Sequence, residues 1–159
     1  RVTVERCDAC GKCVQACAVA HSRSKDPELA MDEDPPPRPR IKLNPIQGKT
    51  TATACRHCEA AACVLVCPTG AMQKLSQGGP VIVDDKLCIG CQSCVITCPY
   101  GVPQAHLQGE QITKCDLCVD RLREDKLPAC VTACTTGALE FVTKAPPAED
   151  NTYLPWRNL

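Results

Sequence analysis

Apolar and polar positions alternate along this chain only in short runs. Arg1-Val2-Thr3-Val4 alternates and reads as a strand. Cys13 to Ala20 reads as one or two helical turns. Arg40-Ile41-Lys42-Leu43 alternates again and predicts a second strand. Met72-Gln73-Lys74-Leu75 and Val81-Ile82-Val83, joined through Gly78-Gly79-Pro80, predict an antiparallel hairpin. A weak internal repeat accompanies these elements. Cys67-Pro68-Thr69-Gly70-Ala71-Met72, Cys98-Pro99-Tyr100-Gly101-Val102 and Cys134-Thr135-Thr136-Gly137-Ala138-Leu139 share a cysteine, a glycine three residues on, and apolar residues after it. The glycine permits a tight turn, and the apolar residues start a strand.

The pattern lapses between Cys17 and Cys55. This stretch contains Asp32-Glu33-Asp34-Pro35-Pro36-Pro37-Arg38-Pro39-Arg40, whose charge and proline density predict an extended surface loop. Two readings of it stand: a solvated linker, or a docking loop for a partner protein. The tail from Ala145 carries three prolines with Tyr153 and Trp156, which excludes a long helix.

Composition changes the picture of the core. Hydrophobic residues make up 44% of the chain, but that figure includes sixteen cysteines, and only four residues are aromatic. A chain of this length ordinarily buries about 70% of its unfolded surface. Its larger apolar side chains are too few to fill such an interior, so bound metal–sulfur groups are expected to complete it, coupling binding to folding. Charge is balanced, 18 Lys and Arg against 18 Asp and Glu, and gives no basic excess for nucleic acid. No apolar stretch approaches the ~20 residues of a membrane span, and no secretory signal is visible.

The cysteines fall in four groups of four: Cys7, Cys10, Cys13, Cys17; Cys55, Cys58, Cys63, Cys67; Cys88, Cys91, Cys94, Cys98; and Cys115, Cys118, Cys130, Cys134. Gaps of two and three residues suit ligands converging on one ion group, whereas a disulfide framework staples distant loops. Three cysteines within seven residues crowd a single tetrahedral zinc ion. The fourth group, with two C-x2-C-like arms around a longer loop, leaves zinc open at that position. The third group reads C-x2-C-x2-C-x3-C-P, the run with which bacterial ferredoxins hold 4Fe-4S cubes. Four quartets predict four 4Fe-4S clusters.

With Cys55-Arg56-His57-Cys58, Cys67-Pro68-Thr69-Gly70-Ala71, Lys114-Cys115-Asp116-Leu117-Cys118 and Pro128-Ala129-Cys130 laid out, residues 1 to 142 resemble the four-cluster electron-transfer subunits of anaerobic oxidoreductases. These include the iron–sulfur subunits of dimethyl sulfoxide reductase and formate dehydrogenase. They also include the small iron–sulfur partners of carbon monoxide dehydrogenase, of some hydrogenases and of tungsten aldehyde oxidoreductases. The resemblance implies an α+β fold of two bacterial-ferredoxin-like units, with short helices and small antiparallel hairpins, one unit inserted in the other. The outer unit would comprise residues 1–20 and 107–142, the inner unit 51–106. Residues 21–50 would be a proline-rich insertion loop and 143–159 a C-terminal tail. It also implies that ligands are exchanged between quartets. Cys7, Cys10 and Cys13 with Cys134 would hold one cube, and Cys115, Cys118 and Cys130 with Cys17 another. Cys55, Cys58 and Cys63 with Cys98 would hold a third, and Cys88, Cys91 and Cys94 with Cys67 the fourth.

The function this implies is a non-catalytic relay of single electrons. One partner would be a catalytic oxidoreductase subunit, with tungsten or molybdenum aldehyde oxidoreductase placed first and carbon monoxide dehydrogenase, hydrogenase or formate dehydrogenase after it. The other would be a second redox protein, a ferredoxin or flavoprotein, in a hetero-oligomer. A free polyferredoxin and a redox-sensing or structural metal protein are the alternatives. Reduced thiolate ligands fit a cytoplasmic setting. No nucleophile–base constellation, G-x-G-x-x-G or phosphate loop is evident. His21, His57 and His106 are expected beside the clusters or at the surface, His57 as a tuning group between two ligands. Lys12, Arg56, Lys86 and Lys114 face solvent or offset cluster charge.

Overall fold

The computed structural model describes residues 1–105 and 111–142, so His106, Tyr153, Trp156 and the rest of the expected tail lie outside the described residues. The elements are short, as the lapses in alternation require. Five α-helices of four to nine residues, two antiparallel hairpins and two 3₁₀ turns are present among the described residues. These few helices and small hairpins are compatible with a ferredoxin-like 4Fe-4S domain. The described chain divides into two compact units, Arg1–Ala54 with Asp120–Val142, and Cys55–Val119.

In the first unit a 3₁₀ turn at Val4–Arg6 precedes helix α1, Lys12–Ala20. The strand expected over residues 1–4 is reduced to one bridge, Val2 opposite Leu139. Thr3 N–H donates to Ala138 O at 2.8 Å and Glu140 N–H to Arg1 O at 3.0 Å, after which the chain must turn into the first cysteine loop. The strand expected at residues 40–43 is displaced to β1, Lys42–Ile46, and pairs with an unexpected β2, Lys49–Thr53, with Leu43 opposite Ala52. Gln47 and Gly48 connect them with φ of 50° and 77°, the doubly left-handed turn that matches hairpin twist. Ile41, Ala52 and Leu139 pack with Cys13 and Cys17 into this unit's core, together with Val14, Leu43 and Val131. Helix α5, Ala129–Thr132, packs on α1.

The loop after α1 folds on itself ahead of the proline run that starts at Pro35. The Glu33 carboxylate accepts the N–H groups of Ser24 at 2.8 Å and Arg23 at 3.1 Å. Asp26 caps Glu28 and Leu29 at the 3₁₀ turn Leu29–Asp32, and Ala30 is buried.

In the second unit the expected hairpin is present. β3, Met72–Lys74, pairs antiparallel with β4, Val81–Val83, and Met72 lies opposite Val83. Helix α2, Ala62–Leu65, packs on α3, Ser93–Thr97. The core is Ala61, Met72, Val81, Cys94 and Ile112. Helix α4, Val119–Arg123, starts at this unit's last residue. Lys114 is 2% exposed, and its ammonium donates to the carbonyls of Val81 and Cys115. Among the described residues no helix is long and apolar enough to cross a membrane.

Candidate metal centres

Each C-x2-C step is built on the same backbone device. The residue before the second cysteine is left-handed in all four: Ala9, His57, Gly90 and Leu117, with φ of 59°, 47°, 66° and 63°. This turns the chain so that successive cysteines face one side. The N–H groups of His57 and Leu117 donate to Cys55 Sγ at 3.4 Å and Cys115 Sγ at 3.5 Å. Asp8 and Asp116 brace their turns by accepting the N–H of Cys10 at 3.2 Å and of Cys118 at 2.8 Å, as Asx turns do. Left-handed Gly11 and Gln92 then start α1 and α3, which place Cys13 and Cys94 in their first turns and bury them. Cys17 lies one turn further along α1, and Cys98 caps the C-terminus of α3.

Cysteines from distant stretches converge. Cys7, Cys10, Cys13 and Cys134 line one recess in the first unit, walled by Leu43, Ala52 and Leu139. Cys67, Cys88, Cys91 and Cys94 line another in the second unit, walled by Met72, Val83 and Ile112. Cys55 and Cys98 lie close enough to Cys63 for their charges to oppose its ionisation. Cys17 and Cys130 belong to the core of the first unit, while Cys115 and Cys118 are in the second unit. All sixteen are free thiols.

Electrostatics separates the thiols by position. Burial pushes Cys13 and Cys63 up, and Cys94 up to about 11. Cys67 and Cys134 are also penalised by burial, yet hydrogen bonds to sulfur outweigh it and lower both. At Cys67 these come from Met72 N–H at 3.5 Å and Thr69 Oγ1 at 3.7 Å. At Cys134 they come from Leu139 N–H at 3.4 Å and Thr136 Oγ1 at 3.7 Å. Cys91 is lowered by the Ser93 hydroxyl, 3.5 Å away. Ile112 N–H donates to Cys88 Sγ at 3.4 Å and Arg40 N–H to Cys17 Sγ at 3.2 Å. Sequence reasoning misses these donors. The threonines carry a signal, standing two residues after the last cysteine in two copies of the repeat.

His57 and Lys114 tell most about fit. Val81 N–H donates to His57 Nδ1 at 2.9 Å, and burial followed by the charge of Lys114 holds the ring's pKa down to about 3. The neutral ring therefore carries its proton on Nε2, which is buried without a partner among the described residues. An anionic sulfur cage held by the cysteines on either side is an acceptor of the kind this donor lacks. Buried, high-pKa thiols likewise need a cationic group before they ionise. Of the other groups singled out in the sequence, Lys12 and Lys86 are exposed. Arg56 is exposed with its guanidinium 4.4 Å over the Tyr100 ring, and His21 Nδ1 donates to Cys17 O at 2.7 Å.

Comparison with known proteins agrees with this chemistry. Residues 46–144 match the 4Fe-4S dicluster domain and residues 4–20 a 4Fe-4S binding domain. The first match includes the fourth quartet, where spacing alone leaves zinc open. The protein is 39% identical over 150 residues to the "Iron-sulfur protein" of Rhodospirillum rubrum, an alignment covering 87% of this chain and 78% of that one. It is 50% identical over 88 residues to the B subunit of the anaerobic dimethyl sulfoxide reductase of Escherichia coli, with 55% of this chain and 42% of the relative covered. It is 38% identical over 140 residues to "Protein NrfC" of the same organism, with 85% and 60% covered. The protein thus spans less than half the length of the reductase subunit it matches. Two 4Fe-4S binding domains and sixteen cysteines support multiple 4Fe-4S clusters, and the chain belongs to the 4Fe-4S dicluster domain family of iron–sulfur proteins.

Proposed function

We propose that this chain is a non-catalytic subunit that relays single electrons between a catalytic oxidoreductase subunit and a second redox protein. The observation that carries the reading is the pair of recesses ringed by four cysteines each, with the fourth cysteine drawn from another quartet. Cys134 completes the set of Cys7, Cys10 and Cys13, and Cys67 the set of Cys88, Cys91 and Cys94. Cys98 completes Cys55, Cys58 and Cys63. Cys17, Cys115, Cys118 and Cys130 form the last set on the sequence resemblance alone. The two ferredoxin-like units, one inserted in the other, follow from the same exchange of ligands.

When bound, a 4Fe-4S cluster supplies one-electron redox chemistry. The chain's residues do the rest. Sixteen thiolates bind. Leu43, Leu139, Met72 and Ile112 exclude water from two of the sites. Amide and hydroxyl donors offset negative charge on sulfur. A relative named as one subunit of a reductase supports a place beside a catalytic subunit, and thiolate ligation supports a reducing compartment such as the cytoplasm.

Anaerobic purification of the protein at native abundance tests this reading. The expected result is about sixteen irons and as many acid-labile sulfides per chain, from four per cube, and a co-purifying catalytic subunit identified by mass. Zinc in place of iron overturns the cofactor assignment. A fully loaded protein that migrates alone points to a free polyferredoxin instead.

A further inference from the structure

Three of the four quartets end on one and the same turn. Cys67, Cys98 and Cys134 are each followed three residues later by a left-handed glycine, Gly70, Gly101 or Gly137, with φ of 69°, 57° and 65°. Each glycine N–H donates to the carbonyl of its cysteine, at 3.4, 3.1 and 3.3 Å. The backbone is therefore alike through the glycine, and only what reaches the sulfur differs.

At Cys67 and Cys134 two donors reach it. A threonine hydroxyl two residues on lies at 3.7 Å in both, and a backbone N–H five residues on lies at 3.5 Å from Met72 and 3.4 Å from Leu139. At Cys98 both positions are changed. The residue two on is Tyr100, whose ring sits beneath the Arg56 guanidinium. The residue five on is Pro103, which has no N–H to give. Among the described residues no hydrogen bond to Cys98 Sγ is present.

We propose that Thr69 and Thr136, with the amides of Met72 and Leu139, raise the reduction potentials of the clusters capped by Cys67 and Cys134, and that Pro103 withholds this from the cluster capped by Cys98. The proposal rests on the ligand sets proposed above. Reduction adds one electron and one negative charge to a cluster already ringed by thiolates, with no bond made and no proton required. A donor dipole aimed at a ligating sulfur stabilises the more negative form more strongly and so raises the potential. One turn, repeated three times, thereby yields corners of two electronic kinds, and a series of otherwise similar cubes acquires steps in potential.

The test is an EPR-monitored redox titration of the anaerobically purified whole protein, with dithionite as reductant and viologen mediators. Thr69→Val and Thr136→Val, which remove a hydroxyl at constant volume, are each expected to move one midpoint downwards, and not the same one. A threefold loss in the reduction equilibrium constant is about 28 mV at 59 mV per tenfold for a one-electron couple. Thr69→Ser and Thr136→Ser, which keep the hydroxyl, are expected to restore the parent values. Pro103→Ala is expected to move a third midpoint upwards. If Pro103→Ala fails to fold, the threonine pair decides alone. Unmoved midpoints at full cluster content overturn the inference, as do upward shifts, one shared midpoint, or outright loss of a cluster that serine restores. Iron and sulfide short of four clusters in the unaltered protein defeats the underlying ligand reading instead, and the two failures are separable before any variant is made.

Discussion

A buried ammonium is tolerated only where carbonyls or carboxylates replace its water. Lys114, 2% exposed, meets that condition through the carbonyls of Val81 and Cys115. It ties β4 to Cys115, the fourth quartet's first cysteine, while its charge lowers the pKa of His57. Lys114→Met keeps the stem and removes the head, leaving two carbonyls unpaired. The expected loss is about 2 kcal/mol, read as faster amide exchange across β3 and β4 in the loaded protein. Unchanged exchange would mean that water takes over both carbonyls. A second residue-scale prediction concerns ligand exchange. Cys67→Ala is expected to abolish the cluster of Cys88, Cys91 and Cys94 and to spare that of Cys55, Cys58 and Cys63, although Cys67 lies next to the latter in sequence. EPR of the variant distinguishes the two, and damage to the second quartet's cluster instead would reject the exchange. At this scale the grouping of the cysteines is legible in the sequence from its short gaps, whereas the approach of Cys134 to Cys7, Cys10 and Cys13, and of Cys67 to Cys88, Cys91 and Cys94, is set by the fold. The sulfur donors are not legible, because most are backbone amides whose direction is set by turns that no side chain announces. Lys114 is equally ambiguous from sequence. A lysine beside a cysteine looks the same facing solvent as it does capping buried carbonyls.

Among the elements, the hairpin β3–β4 is readable because Gly78-Gly79-Pro80 separates two β-prone runs. The hairpin β1–β2 is obscured by Pro45, which demotes a run as a strand candidate, and by the small polar Lys49-Thr50-Thr51-Ala52-Thr53 that pairs with it. Gln47-Gly48 is the signal available. The structure needs φ of 77° at Gly48, so Gly48→Ala is expected to cost about 1 kcal/mol. The readout is faster exchange of the β1 and β2 amides, with the cysteine clusters unaffected. Helix α1, nine residues long, is legible as helical turns over Cys13 to Ala20, whereas the four or five residues of the other helices do not complete the repeat on which periodicity rests. The charged loop after α1 reads from its composition as extended throughout, yet Glu33 folds its first half by accepting two backbone N–H groups. Those bonds, from Ser24 and then Arg23, hold the Glu33 carboxyl below its ordinary value. A depressed folded-state pKa means that the stabilisation is present above the unfolded value near 4.5 and is lost as pH falls through the folded one. Protection of the Arg23 and Ser24 amides is therefore expected to be constant near neutrality and to fall below about pH 4.5. Glu33→Gln should lack that acid transition. A transition retained in the variant would assign it to another carboxylate.

For the molecule as a whole, the shortage of large side chains seen in the composition has a structural counterpart. Among the described residues the buried large apolar side chains are Ile41, Met72, Val81, Val102, Ile112, Val119 and Leu139, and the rest of the buried apolar set is alanine and cysteine. Seven aliphatic side chains divided between two units, with no aromatic among them, fall well short of the conformational entropy of ordering so long a chain, at ~1–2 kcal/mol per residue for the backbone alone. Cys13, Cys17 and Cys94 sit in the two cores themselves, and Leu43, Leu139, Met72 and Ile112 each line a recess on one side and pack into a core on the other. Extracting the metal therefore removes a wall from each core and leaves buried thiols, Cys94 with a pKa of about 11, in place of bound thiolates. Binding energy and folding energy are then the same quantity. The expected outcome of stripping iron under strictly reducing, anaerobic conditions with a chelator is loss of amide protection in both units together with loss of visible absorbance, at one chelator concentration for each cluster's surroundings. Reconstitution with ferrous iron and sulfide should restore both signals. A stripped protein that kept the protection of α1, β3 and β4 would mean that these cores stand without their metal, and would refute the coupling on which this molecule's small interior depends.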